Sequence, residues 1–532
     1  MPEWIIRDFT SGMHINPNRD AIADQDMWWM ENLQPLASGN VVPCPPTGPN
    51  SLTIAPPLPS TGIYYQTEVQ LQTIPYMFLC NTAGAAYIVN LRTGASTLIM
   101  AAATLNGAQT TYAVNYMGKG YQQGGFLIID PNGYWDYGVT AVNTLTKIGA
   151  TVGTSIATYA GRVWIGNNNT LSYTDINSYT SFGGAGGQAT FSDQYLLNGI
   201  TCLYAANNYL YILGATSVDV LSNVTVSVPG GVTSFSRVNV LQGLGVLFYN
   251  VMTVIGYARG LVFMDLTGLY LLAGATPERL SERIQSIFRN GIANLGNRNS
   301  CGLTNLNGEL CLLFFTQGMT DVWSTNAGLG NKNMIFVYQR HRWWVHTFVS
   351  GNTNSAYAVS GIPQFANSYG AYISEAGSHV GLSQVFGGGT FPGWQLRTKL
   401  WDGGKAYSEK QGINIAFSAQ WNYQAGPPTC PGPICPGGTG ITFQVDSELF
   451  NTSPVLSIPT IPTIYVGLPN PGGSFVYATQ VLKDVMAGNQ GIGSQFIGLT
   501  FLGTTTQGGF FQPVASLEGI ALRGKQENNK LE

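Results

Sequence analysis

The side chains able to do acid-base or metal chemistry are few and poorly spaced for it. Four histidines occur, His14, His341, His346 and His379. A catalytic imidazole needs a partner that orients it, and a zinc site needs nitrogen or sulfur ligands that converge. His341 and His346 flank Arg342-Trp-Trp-Val, which reads as a strand, so five positions apart they fall on opposite faces. A structural or surface role follows. Asp20, Asp24 and Asp26, and separately Asp130, Asn132 and Asp136, offer oxygen ligands, but neither set has the calcium-loop spacing. Negative charge at a helix N-terminus accounts for the first set, and a Pro-Asn-Gly turn for the second. Cys430 and Cys435, separated by two prolines, could form a small disulfide, half of a metal site or two idle thiols. The other cysteines, Cys44, Cys80, Cys202, Cys301 and Cys311, are scattered, and a total of seven is odd, so most are expected to be free and buried.

Covalent and phosphate chemistry leave no mark either. No glycine loop with its lysine, no nucleophile elbow and no HExxH helix occurs. A carboxylate pair for glycoside cleavage is brought to about 5–10 Å by the fold, and nothing in the sequence marks one. We therefore single out no catalytic, cofactor-binding or metal residue and expect a protein that is not an enzyme. The pairs Trp28-Trp29 and Trp343-Trp344, with 27 tyrosines, could form sugar platforms. Adjacent strand residues face opposite ways, so one of each pair is expected in the core and the other at an interface. A carbohydrate-binding propeller, as a tail adhesin or lectin, is the alternative function; a propeller glycosidase is a weaker one.

Composition narrows the class. Of 532 residues only 9% are charged, against about 25% in an ordinary soluble chain, while 44% are hydrophobic and 12% aromatic. That suffices for a large core and excludes a disordered chain. The apolar stretch 239–256 contains Asn239, Gln242, Asn250 and three glycines, so it reads as buried strands rather than a membrane span. A formal net charge of −3 with no basic run argues against gripping nucleic acid. The N-terminus, Met-Pro-Glu-Trp-Ile-Ile-Arg-Asp, interrupts any signal-peptide core with charge, which points to a protein made and kept in a cytoplasm.

Three regions follow. Residues 1–62 read as an N-terminal arm and platform segment; Asp20 to Leu33 has apolar residues at helical spacing, and the seven prolines within 43–59 suggest an extended connector that pairs with nothing. Residues 63–397 alternate short apolar runs with Gly, Asn, Asp and Ser clusters. Similar units begin at Ala85, Gly125, Gly161, Asn208, Gly260, Gly308 and Gly370. A period of about 40–50 residues is that of a β-propeller blade, with five to seven blades expected, the last interval of 62 residues standing out as an insertion. Pro277 to Phe288 reads as a helix with Leu280, Ile284, Ile287 and Phe288 on one face. Residues 398–532 alternate again and read as an antiparallel β-sandwich. The fold class is mainly β: a propeller, an N-terminal arm and platform, and a C-terminal sandwich-like domain.

These pieces resemble a known family. Arg7-Asp-Phe-Thr-Ser-Gly-Met-His-Ile-Asn, then Asp24-Gln-Asp-Met-Trp-Trp-Met-Glu-Asn-Leu and a proline-rich segment are similar to the opening of tail nozzle (DNA-stabilisation) proteins of short-tailed bacteriophages. Arg237 to Ile287, Met334 to His346 and Lys399-Leu-Trp-Asp-Gly-Gly-Lys-Ala-Tyr-Ser-Glu-Lys resemble further segments of that family. The resemblance implies a virion tail protein assembled in the host cytoplasm as a ring of six copies. It implies as partners an adaptor and portal ring above, a needle, plug or fibre below, and double-stranded DNA that passes without sequence-specific binding. A charge-poor wall suits passage, because each cation facing phosphate adds affinity and hence friction. Large aromatics in a non-repeating terminal segment need a surface to bury against, so Trp4, Phe9, Trp28 and Trp29 are the candidate assembly contacts, with packing on their own propeller the competing expectation.

Overall fold

The structure, a computed structural model, describes residues 3–287 apart from short breaks, and beyond them chiefly the strands named below together with residues 394–401. Local chemistry sets its hairpins. Gly125–Asp130 and Gly133–Tyr137 pair antiparallel, with Asp130 opposite Gly133. The buried Asp130 carboxylate accepts from the Asn132 and Asn106 amides at 2.8 and 3.1 Å and from Thr111 Oγ1 at 2.5 Å, fixing the turn to the preceding inter-blade loop. Asp265 repeats the device, accepting from the Thr267 amide at 2.8 Å. Short polar side chains that bond backbone two residues on make such turns self-supporting.

Repetition of that hairpin gives seven four-stranded antiparallel blades among the described residues, so the chain is a β-propeller. Six are consecutive: 63–100, 112–147, 155–190, 200–242, 254–279 and 302–348. The seventh joins Thr353–Val359, Ile362–Asn367 and Tyr372–Glu375 to Thr47–Pro49, which pairs Gly48 with Ser374. The innermost strand Thr353–Val359 packs against Ile63–Leu71 of the first blade, so the ring closes. Side chains fill the gaps between blades: Phe78 and Phe126 lie 5.3 Å apart, Trp164 packs with Leu203 and Leu221, and Cys202 and Leu213 meet Val254 and Phe263.

Second strands of the blades begin at 74, 125, 162, 209, 260, 309 and 362. Five of the units seen in the sequence fall there, while those at Ala85 and Gly370 fall on third strands. The long last interval is therefore a change of strand and not an insertion.

The two ends of the chain share two further sheets. Met27–Glu31 lies parallel to blade six's outer strand Arg342–Phe348, Glu31 opposite Val345, and antiparallel to Trp394–Thr398, Glu31 opposite Gln395. Ile497–Thr504 and Gly440–Ser447 complete an eight-stranded sheet that runs from the propeller centre outward without a break. At Asn32 (φ 56°) the chain leaves this sheet for a second one. That sheet runs Leu33–Pro35, Val41–Pro43, Ala515–Gln526, Lys410–Tyr423, Ser474–Leu482, with Glu3–Ile6 also on Ala515–Gln526.

Three local expectations fail for physical reasons. The helix over Asp20 to Leu33 is replaced by turns and the strand Met27–Glu31, all five of whose residues are buried. One short helix would bury one face, whereas a central strand buries both. The proline-rich connector does pair, because its strands Val41–Pro43 and Thr47–Pro49 are short, and Thr47–Pro49 is an edge strand, where a missing N–H is tolerated. The helix from Pro277 shrinks to a 3-10 turn Glu282–Ile284 and one turn Gln285–Ile287, since Thr276–Arg279 is blade five's outer strand; Leu280 and Ile284 are nevertheless buried.

Tight inter-blade loops set one strong steric constraint. Gly84 has φ +75°, and a Cβ there would stand 2.4 Å from the Leu105 carbonyl oxygen. Gly84→Ala is expected to lower stability by about 2 kcal/mol through backbone strain, read as a lower denaturant midpoint; an unchanged midpoint would contradict this packing.

Candidate functional site

The segment 8–31 is laced onto the seam between blades five and six by a polar network. Backbone bonds set its course: the Met13 amide donates to the Trp343 carbonyl at 2.8 Å, His14 to Met27 at 2.8 Å and Ile15 to Arg283 at 2.7 Å. Gly12 (φ +69°) passes so close to Trp343 that a Cβ would lie 3.0 Å from its carbonyl oxygen.

Side chains then converge on Asp26, which is 3% exposed. His14 Nδ1 donates to its Oδ2 at 2.8 Å and Arg283 Nη1 to its Oδ1 at 2.9 Å; the same Arg283 nitrogen reaches the Ser11 carbonyl at 2.7 Å. Burial alone would push the Asp26 carboxyl up, but the His14 hydrogen bond and the Arg283 charge outweigh it and hold it below the ordinary carboxylate range. Beside this triad, Trp28 Nε1 donates to the Asn16 carbonyl at 3.0 Å. Arg19 and Arg397 lie 5.2 and 5.8 Å from its ring centre. Arg19 Nε donates to the Thr398 carbonyl at 2.5 Å, and Lys399 pairs with Asp24 at 2.7 Å. Chemically this is a clamp: carboxylates are neutralised by cations, and one indole, Trp28, is covered by two guanidinium groups.

Of the candidate contacts, Phe9, Trp28 and Trp29 are 0, 7 and 3% exposed, so the surface they bury against lies in their own chain. Trp4 stands in Glu3–Ile6 with its backbone opposite Leu522. Trp343 and Trp344 are both fully buried, correcting the expectation that one of each pair faces outward: their strand is interior to the eight-stranded sheet, covered on both faces. These four indoles are not sugar platforms. Trp29→Ala is expected to cost about 3 kcal/mol of the isolated chain's stability, measured by urea unfolding; nearly unchanged unfolding would restore the view that this indole serves a partner.

His341 sits in the two-residue turn Arg340-His341, both at positive φ, rather than in a strand. Its Nδ1 is 3.2 Å from the Tyr338 hydroxyl and 3.9 Å from Glu278. Asp130 and Asp136 are buried and hydrogen-bonded to threonines. Among the described residues no three His, Cys, Asp or Glu side chains cluster as for a metal. Cys80 and Cys202 are both buried, and burial pushes the Cys202 thiol up. Cys430, Cys435 and His379 lie outside the described residues.

Sequence reasoning missed Arg283, Arg19 and Lys399. Arg283 meets Asp26 across 257 positions and Lys399 meets Asp24 across 375, separations that leave no local pattern.

No family model and no curated protein matches the chain. Among solved structures it is similar to BamB from Moraxella catarrhalis, at 12% identity and TM-score 0.36, over 66% of this chain and 95% of that one. It is also similar to PorZ, a surface component of the type-IX secretion system of Porphyromonas gingivalis, at 11% identity and TM-score 0.26, over 60% and 48%. The propeller assignment rests on the sheets themselves. No helix among the described residues is long and apolar enough to cross a membrane.

Proposed function

We propose that this chain is a structural subunit of a virion: a tail nozzle whose copies form a ring below the portal and adaptor, retain packaged DNA and conduct it during ejection. The observation that carries the reading is the convergence of the motifs that resemble the nozzle family. His14 from the opening motif, Asp26 and Trp28 from the second and Arg283 from the third meet along one terminal segment, to which Trp343 from the fourth is tied through the Met13 amide and Lys399 from the fifth through Asp24. The clamp has a mechanical consequence. A sheet running without a break from blade six into the terminal strands ties those strands to the propeller by backbone hydrogen bonds, which suits a conduit wall under internal pressure. A wall with 9% charged residues grips a sliding duplex weakly.

Particles assembled without the chain are expected to package DNA and then lose it, and adding purified chain to freshly filled heads should restore retention. Stable retention in its absence would overturn the proposal, and detectable glycan binding by the isolated chain would favour the adhesin reading.

A further inference from the structure

Six of the seven blades end on an outer edge that is short, covered or continued. Leu145–Lys147, Gly187–Thr190, Thr276–Arg279 and Thr47–Pro49 have three or four residues, and the last two contain proline. Ser96–Met100 is bridged by Ala55 opposite Ala95, with Ser96 Oγ donating to the Pro56 carbonyl at 2.5 Å. Arg342–Phe348 continues into Met27–Glu31. These are the ordinary ways of keeping a sheet edge from pairing with another chain.

Blade four is different. Its outer strand Thr233–Gln242 has ten residues and, among the described residues, stands at the end of its sheet. Its one charge, Arg237, is turned inward to the buried Asp219 and over the Phe191 ring at 4.2 Å. Ser234, Ser236 and Val238 are exposed, Val238 by 56%. Two register shifts bend the hairpin over blade three, where Phe235 lies 5.9 Å from both Trp164 and Tyr173 and Thr233 Oγ1 donates to the Ala185 carbonyl at 2.5 Å. The strand is thus held rigid from behind.

We infer that this edge receives a strand from a second copy of the chain, added by backbone hydrogen bonding. The chain carries strands of similar length: among the described residues its two terminal sheets end on Gly440–Ser447 and Ser474–Leu482, eight and nine residues long, the second without a charged residue. A net charge of −3 spread over 532 residues sets little repulsion between copies. Pairing a blade-four edge with a terminal-sheet edge joins different surfaces of the two copies, and repetition of such a heterologous contact builds a ring or a filament rather than a pair. The inference deepens the ring reading and rests on it for closure.

The test combines hydrogen exchange on the full-length chain, dilute and assembled, with the double variant Ser236→Lys, Val238→Lys. Lysine on an exposed edge opposes strand addition without removing a core contact. Amides of 233–242 and of one terminal end strand should gain protection on assembly. The variant should need at least about tenfold more protein to assemble, while its unfolding midpoint stays that of the parent. A ring in which 233–242 exchanges as in the monomer, or a variant that assembles as well as the parent, overturns the inference and leaves the ring reading standing. A non-ring assembly with 233–242 protected supports the edge and removes the ring. A chain that stays monomeric at all concentrations removes both.

Discussion

Replacing Trp343 by alanine is expected to lower the unfolding free energy by about 4 kcal/mol, the range for truncating a large buried aromatic that leaves an uncollapsed cavity. Trp343 is fully buried and its ring centre lies 5.0 Å from that of Tyr338. Its Nε1 donates to the Leu280 carbonyl at 2.9 Å, tying blade six to the turn after blade five, and its own carbonyl receives the Met13 amide. One side chain thus supports two blades and the terminal segment, so the loss should be cooperative and not local. Trp343→Phe keeps most of the volume and removes the indole donor, and should cost about 1–2 kcal/mol. Equilibrium unfolding in urea separates these outcomes, and a loss below about 1 kcal/mol for the alanine variant would show that the seam is not packed as described.

The second large effect is electrostatic. Asp26→Ala leaves Arg283 and His14 without their shared acceptor; because the carboxylate is buried while Arg283 and His14 are partly exposed, the loss is expected to be about 2–3 kcal/mol. Its pH dependence follows from the lowered carboxyl. Because folding depresses the Asp26 pKa, the stabilisation is fully present above the unfolded carboxylate value near 3.8 and is lost as pH falls through the folded value. The parent should therefore outlast the variant by its full margin at pH 7, and the margin should close on acidification below about pH 4. A margin unchanged between pH 7 and pH 3 would mean that the carboxylate charge does not hold the clamp.

What the sequence disclosed was local. Gly125 to Tyr137 announces its hairpin because the turn, the Asp130 side chain and the alternating partners all lie within a dozen residues. Leu280 and Ile284 could be seen as buried because they sit four apart beside a proline start, although the element that buries them is mostly a strand end and a 3-10 turn. The strand Met27–Glu31 was illegible: with both faces covered it has no period of two, and Ala23, Met27 and Met30 mimic a helix. The closure that pairs residue 48 with residue 374 is invisible for a different reason, since nothing near either residue names the other. The clamp was half legible. Its aromatic members drew attention by size, whereas nothing near Arg283 or Lys399 in the sequence names Asp26 or Asp24 as the partner the fold gives them.

The measurement closest to the central claim is cryo-electron microscopy of the purified chain, alone and after incubation with the portal and adaptor ring. The account predicts a six-fold ring of propellers that joins the adaptor and encloses an axial passage wide enough for a duplex. A propeller that remains single, or that binds the adaptor without enclosing a passage, would contradict it.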